Sequence, residues 1–409
     1  MKKYIVAALF SLCLVAGVFA TGSPESSAEP TTITYISTPW GAPSQELLAQ
    51  FTKDTGTTVE VSTMNEGPLR DKVLTAAAGK VNPADVIFVG ISYFGPLASS
   101  GILKTLDETA WKSTLDTVYG SSFYKIGSKQ LAIPLYQQMV MIDYNKAALT
   151  KLGKSAADIK TWADFENVAK EAKAQGLYQY PLAFGMRSWS WYLIALSSGS
   201  KLFDDNMNPT FTDPNSPGYQ AFATLARYYK EGLISPERLT SQNPHPQFWA
   251  GQALFHQAWQ GSLAISNDPK QSKVAPNADY LLLPDKHFTW SLPGGAGIST
   301  YTKAPNASAK FIQFMLSDQL ERYAFTTNGM FPANLKTFQG LGSEGKIQGW
   351  ASMQEQSKYL VGLPYEQPWF DQFDTEATAA LVRVARGQQT VDEAIKALAA
   401  YQQKVKAQY

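Results

Sequence analysis

Aromatic rings and neutral polar groups recur together where extended runs of this chain end. Pro39-Trp40-Gly41 follows a first β-branched run, and Ile91-Ser92-Tyr93-Phe94 follows a third. Tyr136-Gln137-Gln138 follows Ile133-Pro134, and Arg187-Ser188-Trp189-Ser190-Trp191 follows a run from Tyr180. Trp259-Gln260-Gly261 and Trp290 come later. Trp and Tyr offer flat apolar faces with a polar handle. Gln and Ser fix hydroxyls, and Arg fixes a carboxylate. Flat faces among many neutral donors and acceptors suit a sugar. The plainer reading of any one ring is core, since Trp is well buried in most folds. Trp111, Trp162 and Trp249 stand in helical surroundings and read as core, whereas Trp40 and Trp189 stand at strand ends. Gly294-Gly295 reads as a turn, or as a place where the backbone comes close to a ligand.

The motifs that mark catalysis do not occur. There is no H-E-x-x-H and no G-x-S-x-G, and His245, His256 and His287 are not at metal-ligand spacing. Gly340 to Lys346 nearly spells a P-loop, but Ile347 stands where Ser or Thr must hold Mg²⁺. Asp204-x-Asn206-x-Asn208 opens like a Ca²⁺ loop, yet Pro209 replaces the needed Gly and Asn215 the terminal Glu. No metal and no cofactor are expected. A glycosidase needs two carboxyls flanking the scissile bond. Glu66 follows a strand and could reach a cleft, but nothing in the sequence singles out a partner for it.

The elements that must hold these residues alternate between extended and helical. Thr32 to Ser37 is a strand by its β-branched and aromatic content. A helix follows Pro43, with Leu47, Leu48 and Phe51 on one face and a stop at Gly56. Thr58 to Thr63 is a second strand, Leu69 to Ala78 a second helix, and Ala84 to Val89 an apolar strand of the kind covered on both faces. Gln130 to Asn145 reads as two extended segments broken at Gln137-Gln138. Thr161-x-x-Asp164 is a capping pattern ahead of a helix. Strands are expected at Tyr180 to Phe184, Tyr280 to Leu283 and Ala296 to Tyr301, a helix from Pro217 to Tyr229, and mostly helix after Ala307. The order predicts an α/β fold of mixed, mostly parallel sheets with helices on both faces. In such sheets ligands sit beyond the carboxyl ends of the strands.

The 409 residues exceed one ordinary core and fit two lobes. Thirty-five Lys+Arg against 34 Asp+Glu leave a charge of +1, which excludes strong electrostatic capture of nucleic acid or anionic membrane. A hydrophobic fraction of 44% excludes disorder for the body of the chain. Lys2 and Lys3, an uncharged run from Ile5 to Ala20, and Val18-Phe19-Ala20 read as a secretory signal at 1–20, cut after Ala20. Lipoprotein processing at Cys13, the single cysteine, is the rival; bulky Leu12 ahead of it fits that cleavage poorly. Residues 21–31 are small, polar and Pro-containing, a flexible lead-in. The mature chain would carry a charge of −1 and no Cys, which suits an oxidising compartment, periplasmic or extracellular.

In order along the chain, several pieces resemble one family. They are Ala84-Asp85-Val86-Ile87-Phe88 with Phe94-x-x-Leu97-Ala98-x-x-Gly101-Ile102-Leu103, then Ile133-Pro134 and Ile142-Asp143-Tyr144-Asn145-Lys146. Thr161-Trp162-Ala163-Asp164-Phe165 follows, then Phe248-x-x-Gly251-Gln252-Ala253 with Gln257-Ala258-Trp259, and lastly Gly387-Gln388-Gln389-Thr390-Val391-Asp392-Glu393-Ala394. The chain looks like an extracellular solute-binding protein of the family serving sugar ABC importers, relatives of maltose-binding protein.

The resemblance implies two α/β lobes joined by crossing strands, with solute held between them. The first lobe would comprise 32–137 and a return segment at 285–328. The second would comprise 138–284 and the C-terminal helices of 329–409. Crossings are expected near Gln137 to Met141, Leu283 to His287 and Gly329 to Pro332. Family site positions fall on Trp40 with Gly41, Glu66, Ser92, Tyr93, Gln138, the stretch Arg187 to Trp191, Trp259, and Gly294-Gly295. Tyr136 joins them from the aromatic pattern, and Gln138 stands where many relatives carry an acid or amide. Maltose-type members place a Trp where this chain has Val89. Whether Trp369, Phe370 or Phe373 faces the cleft is left open.

The resemblance further implies a monomer that passes a carbohydrate to membrane permease subunits and has no catalytic activity. Three alternatives remain open at this point. They are a sugar acid or other small anion held by Arg187, a secreted carbohydrate-active enzyme using Glu66, and delivery to a sensor kinase.

Overall fold

The structure, a computed structural model, describes residues 31–409. The expected signal, Cys13 and all but the last residue of the lead-in lie outside the described residues. The strands run in chain order: β1 (Thr32–Ser37), β2 (Thr58–Thr63), β3 (Val86–Gly90), β4 (Lys125–Ile126), β5 (Lys129–Gln130), β6 (Ile133–Gln137) and β7 (Val140–Asn145). They continue with β8 (Leu182–Ala183), β9 (Phe255–Trp259), β10 (Ala278–Leu281), β11 (Thr289–Trp290), β12 (Gly294–Ile298), β13 (Phe331–Pro332) and β14 (Leu360–Val361).

Two sheets organise the chain. The first is six-stranded, in the order β13-β6-β12-β3-β1-β2, and the second four-stranded, in the order β10-β7-β9-β8. Every residue of β3 is buried, as an unbroken apolar run requires when helices cover both faces. The helix Gln45–Thr55 lays Leu47, Leu48 and Phe51 on this sheet and ends at Gly56, whose φ of +72° suits glycine. Phe311 meets Tyr35 and Phe51 edge-on, with ring centres at 5.4 and 5.3 Å. In the second lobe Phe165 packs on Phe255 at 4.2 Å. Phe165 belongs to the helix Trp162–Ala174, which starts at the Thr161–Asp164 capping box read from sequence.

The sheets are mixed, but less parallel than the sequence suggested. β1 pairs in parallel with β2 and β3, and β8 with β9. The pairings of β12 with β3 and β6, of β13 with β6, and of β7 with β9 and β10 are antiparallel. The physical reason is the connectivity. A strand that returns from the other lobe enters its sheet from the opposite end, so each return adds an antiparallel partner.

The chain passes from the first sheet to the second between Gln137 and Val140. A second passage lies against the first at 289–292, several residues beyond the expected Leu283 to His287. There Leu292 N donates to Gln138 O at 2.7 Å and Thr289 Oγ1 to Val140 O at 2.7 Å. Residue 329 does not open a purely second-lobe segment either. Phe331–Pro332 joins the edge of the first sheet beside β6, because Phe331 pairs with Gln137.

Candidate functional site

The loops after β1, β2 and β3 bring Trp40, Glu66 and Tyr93 to one end of the first sheet. Trp40 Nε1 donates to the Tyr136 hydroxyl at 3.2 Å, and the Trp40 carbonyl accepts from Asn328 Nδ2 at 3.2 Å. Tyr136 stacks on Phe88 with ring centres 6.1 Å apart. Glu66 opens the helix Glu66–Ala78, and burial raises its carboxyl above the usual range. Burial foremost, then the Glu66 charge, raises the phenols of Tyr93 and Tyr136. Ser92 is half-buried beside Tyr93.

The glycines expected to approach a ligand instead approach tyrosines. A Cβ on Gly294 would lie 2.2 Å from Tyr136 Cζ, and one on Gly295 would lie 2.7 Å from Ile133 O and 3.0 Å from the Tyr124 ring. Gly41 likewise makes room for Ser37 and Phe88 at 2.8 and 3.1 Å. These three positions let rings and strands pack closely, which fixes the wall rather than touching its contents.

The facing wall starts at the helix Ser188–Ser197. Arg187 precedes it and lays its guanidinium over Trp189, 3.9 Å from the ring centre. Burial lowers the Arg187 pKa, with Asp374 and Tyr365 opposing that shift. Trp189 meets Trp290 edge-on at 6.1 Å, and Trp290 meets Tyr192 at 6.1 Å. Trp191 departs from expectation. It is fully buried, donates Nε1 to Gly218 O at 2.8 Å, and packs on Phe211 and Phe222. Two residues along a helix turn a side chain by ~200°, so Trp189 and Trp191 point opposite ways.

Arg187, Trp189, Gln138 and Trp259 meet around one cavity of about 100 Å³, with His245, Gln257 and Leu292 completing its wall. Gln138 Nε2 also contacts Met330 Sδ at 3.3 Å. A separate cavity of about 600 Å³ lies by Phe123, Leu196, Lys201, Asp204, Phe288 and Tyr365. It contains none of the side chains that the sequence singled out for ligand contact, although Asp204 of the Ca²⁺-loop-like stretch lines it.

Two residues that the sequence reading did not select connect the walls. Tyr365 is buried and feels the charges of Asp374, Arg187 and Glu66, so it stands between the Glu66 wall and the Arg187 wall. Gly95 N donates to its carbonyl at 2.9 Å, and a Cβ on Gly95 would collide with that carbonyl at 2.8 Å. Asp374, on the helix Phe370–Ala385, is raised by burial and lies beside Ser188, Tyr192 and Arg187. Trp369, Phe370 and Phe373 of the same stretch are all buried in the core. Trp259 Nε1 is buried without a hydrogen-bond partner among the described residues, while the hydroxyls of Tyr93, Tyr192 and Tyr365 stand next to Gly90, Asp374 and Trp290 without closing a well-aligned hydrogen bond. Buried polar atoms are nearly always paired, so the Trp259 indole N–H is a donor open to a ligand or water.

A family profile described as bacterial extracellular solute-binding protein matches residues 46–348. The chain belongs to that family. The multiple sugar-binding protein of Streptococcus mutans is 24% identical over 261 residues, 58% of this chain and 59% of that relative. Among solved structures, an ABC substrate-binding protein from Listeria monocytogenes in complex with cycloalternan superposes with a TM-score of 0.78 at 21% identity, covering 91% of this chain and 98% of the other. An ABC transporter solute-binding protein from Thermotoga lettingae bound with α-D-tagatose gives a TM-score of 0.79 at 18% identity, covering 92% and 99%. These likenesses establish the two-lobe solute-binding fold. Among the described residues no helix is long and apolar enough to cross a membrane.

Proposed function

We propose that this chain captures a carbohydrate between its two lobes and delivers it to the permease of an ABC importer. The observation that carries the reading is that Trp189 and Trp259 line one cavity with Gln138, Arg187 and Gln257, with the Trp259 indole N–H unmatched, while Trp40 and Tyr136 are joined at the end of the first sheet. Rings supply faces for a pyranose or polyol chain, and the polar groups supply partners for its hydroxyls. The family and the sugar-bound structural neighbours support the same reading.

A cavity of about 100 Å³ is below the ~300 Å³ of ordinary ligand pockets, so a sugar enters when the lobes part and is enclosed when they close. Ligand contacts from both walls then shift the population toward the closed form. We place Trp40, Glu66, Ser92, Tyr93, Gln138, Arg187, Trp189, Trp259, Tyr365 and Asp374 around the ligand. Asp374 lies beside Arg187 and Glu66 stands on the other wall, and two carboxyls so placed favour a neutral ligand over a sugar acid. Val89 in place of an aromatic leaves one stacking face fewer than the maltose-type arrangement. The chain works as a monomer outside the cytoplasmic membrane, secreted by its N-terminal signal, and performs no chemistry on its cargo.

The test is a thermal-unfolding screen of the mature chain against maltose, α-D-tagatose, D-mannitol, ribitol, sugar acids and amino acids. A ligand at 100 times its Kd stabilises the fold by about 2.7 kcal/mol, an easily read shift. Stabilisation by a neutral carbohydrate or polyol supports the reading; stabilisation by amino acids or sugar acids alone overturns it. An assay for new reducing ends on oligosaccharides tests the absence of catalysis, and turnover lost in Glu66→Gln would show an enzyme instead.

A further inference from the structure

Three side chains form a polar line from the second lobe's core to the cleft. Asp143 on β7 and His256 on β9 are fully buried and stand opposite each other in the antiparallel pairing. His256 Nδ1 makes no hydrogen bond among the described residues; Asp143 Oδ2, 3.4 Å away, is the acceptor that lies nearest to it. His256 Nε2 lies 2.7 Å from His245 Nδ1. His245 opens the helix His245–Trp249, stacks on Trp249 at 5.6 Å, and meets Trp259 edge-on at 4.8 Å. It lines the cavity beside Arg187, Trp189 and Gln257. With Nδ1 engaged by His256, Nε2 is the one ring nitrogen left for that cavity.

The His256–His245 link holds one hydrogen, and a small approach of Asp143 to His256 would close the other link with one more, so that the state of Asp143 would dictate the tautomers after it. Ser262 and Ser266 donate to Asp143 Oδ2 at 2.5 and 3.2 Å, which favours the carboxylate. A carboxylate only accepts, so neutral His256 carries its proton on Nδ1 and exposes a lone pair at Nε2. His245 then donates from Nδ1, and its Nε2 is bare. Both rings are neutral. Burial lowers His256 to about 3, and burial with the charges of His256, Arg187 and Arg238 lowers His245 to about 2.

We infer that Asp143 and His256 are positioning residues that hold His245 in the Nδ1–H tautomer, so that His245 offers the cleft a bare acceptor nitrogen and selects ligands that place a hydroxyl donor there. This rests on the cleft being the carbohydrate site. Neutral polyhydroxylated ligands match such a nitrogen. A carboxylate, an ether oxygen or a fluorine at that position is refused, because it too can only accept.

The groups facing the line set its pH response. Asp143 faces Ser262 and Ser266 from one side and the charge of Asp279 from β10; the Tyr280 phenol, also on β10, feels the Asp143 charge. His256 stacks on Phe248 at 4.8 Å, and His245 feels Arg187 and Arg238. Burial, with a smaller push from Asp279, raises Asp143 to about 7. Above that pH the carboxylate holds. Below it, Asp143 donates to His256 Nδ1, His256 Nε2–H donates to His245 Nδ1, and His245 Nε2 carries a proton.

Histidine-selective ¹⁵N labelling of the whole mature chain reads the tautomers directly. At about pH 8 the expected spectrum shows Nδ1 protonated and Nε2 bare on both His245 and His256. In Asp143→Asn the new amide donates to His256 while its oxygen still accepts from the serines, so both tautomers invert. The wild-type pH series should show the same inversion on acidification, which keeps the test open if that variant fails to fold. A protonated Nε2 on His245 at pH 8, or tautomers indifferent to both changes, overturns the relay.

Titration with maltose, D-mannitol, ribitol and α-D-tagatose reads the selection. A binder should move the His245 Nε2 resonance, and His245→Phe, which keeps the ring and removes the nitrogens, should weaken it about tenfold. Unchanged affinity in His245→Phe overturns the selection while leaving the carbohydrate reading intact. If none of the four binds, the carbohydrate reading falls and the selection with it, whereas the tautomer spectra still decide the relay.

Discussion

Arg70 Nη1 donates to both carboxylate oxygens of Asp371, at 3.2 and 3.0 Å, and so ties a first-lobe helix to the helix Phe370–Ala385 that packs on the second lobe. The pair spans the cleft's rim one turn from Glu66 and from Asp374. Burial raises the Asp371 carboxyl even though Arg70 opposes that shift, and Asp71 takes a share of the guanidinium at 3.1 Å. Both partners keep about 30% of their side-chain surface exposed, so the pair is worth no more than ~1 kcal/mol. Arg70→Met should therefore leave folding intact and weaken sugar binding by roughly two- to fivefold, since the contact exists only when the lobes are together. Calorimetric titrations at low and high salt check this. The wild type should lose affinity with salt and the variant should not.

Trp189 and Trp191 should separate binding from folding. Trp189 is half-buried under the Arg187 guanidinium, and Trp191 is fully buried among Phe211, Phe222 and Phe373. Trp191→Ala is expected to cost about 3–5 kcal/mol of stability, the range for a large buried ring. Trp189→Ala is expected to cost about 1 kcal/mol of stability and more than about tenfold in affinity. Denaturant unfolding and ligand titration on both variants give the two numbers. Similar losses of affinity in both, at equal stability, would contradict this division.

The close approach of Gly294 to Tyr136 gives a prediction about the other wall. Gly294 has no positive φ, so space and not backbone conformation requires glycine there. Gly294→Ala would put a methyl 2.2 Å from Tyr136 Cζ and 2.3 Å from its hydroxyl. The ring must move, the Trp40–Tyr136 hydrogen bond breaks, and overpacking of this kind costs about 1–3 kcal/mol. Adding Tyr136→Leu to Gly294→Ala should restore part of that loss, which a double-mutant cycle by thermal unfolding would show.

What could be read from sequence was local or tied to strand ends. β3, the Thr161–Asp164 capping box and the break at Gln137-Gln138 each lie within a few residues of chain, and each stands where its pattern put it. Trp40, Arg187 and Trp259 stand out in the sequence because a strand precedes or carries each. Asp374 and Tyr365, which the structure sets beside Arg187, carry no such signal, because no strand leads to them and only tertiary packing assigns their faces. In the helix Phe370–Ala385 the aromatic residues turn into the core. The next residue, Asp374, is rotated by ~100° and lies beside Ser188, Tyr192 and Arg187. His245 and His256 are eleven residues apart in no metal spacing, and only the folding of one helix onto β9 makes them neighbours.

Glu321 should make stability fall as pH rises. It is 2% exposed. Its Oε1 accepts from Asn334 N at 2.8 Å, while Oε2 has no partner among the described residues. Burial pushes its carboxyl up to about 8, against an ordinary value near 4.5. Between those two values the unfolded chain has released the proton and the folded chain still holds it. The folded state therefore binds more protons, and the unfolding free energy decreases with rising pH across that window. Below about 4.5 both states are protonated and the group contributes nothing to the slope; above about 8 the full penalty is in place. Neutral His245 and His256 act in the opposite sense, but only below their unfolded value of 6.5, so the interval from about 6.5 to 8 exposes the acids, Asp143 among them. Glu321→Gln removes the charge and keeps an acceptor for Asn334. The variant should gain a few kcal/mol relative to the wild type at about pH 8.5 and little or nothing at about pH 4.5. Thermal unfolding of both proteins along a pH series measures the difference, and a gap that does not widen with pH would show that the Glu321 carboxyl is ionised in the fold at an ordinary pH.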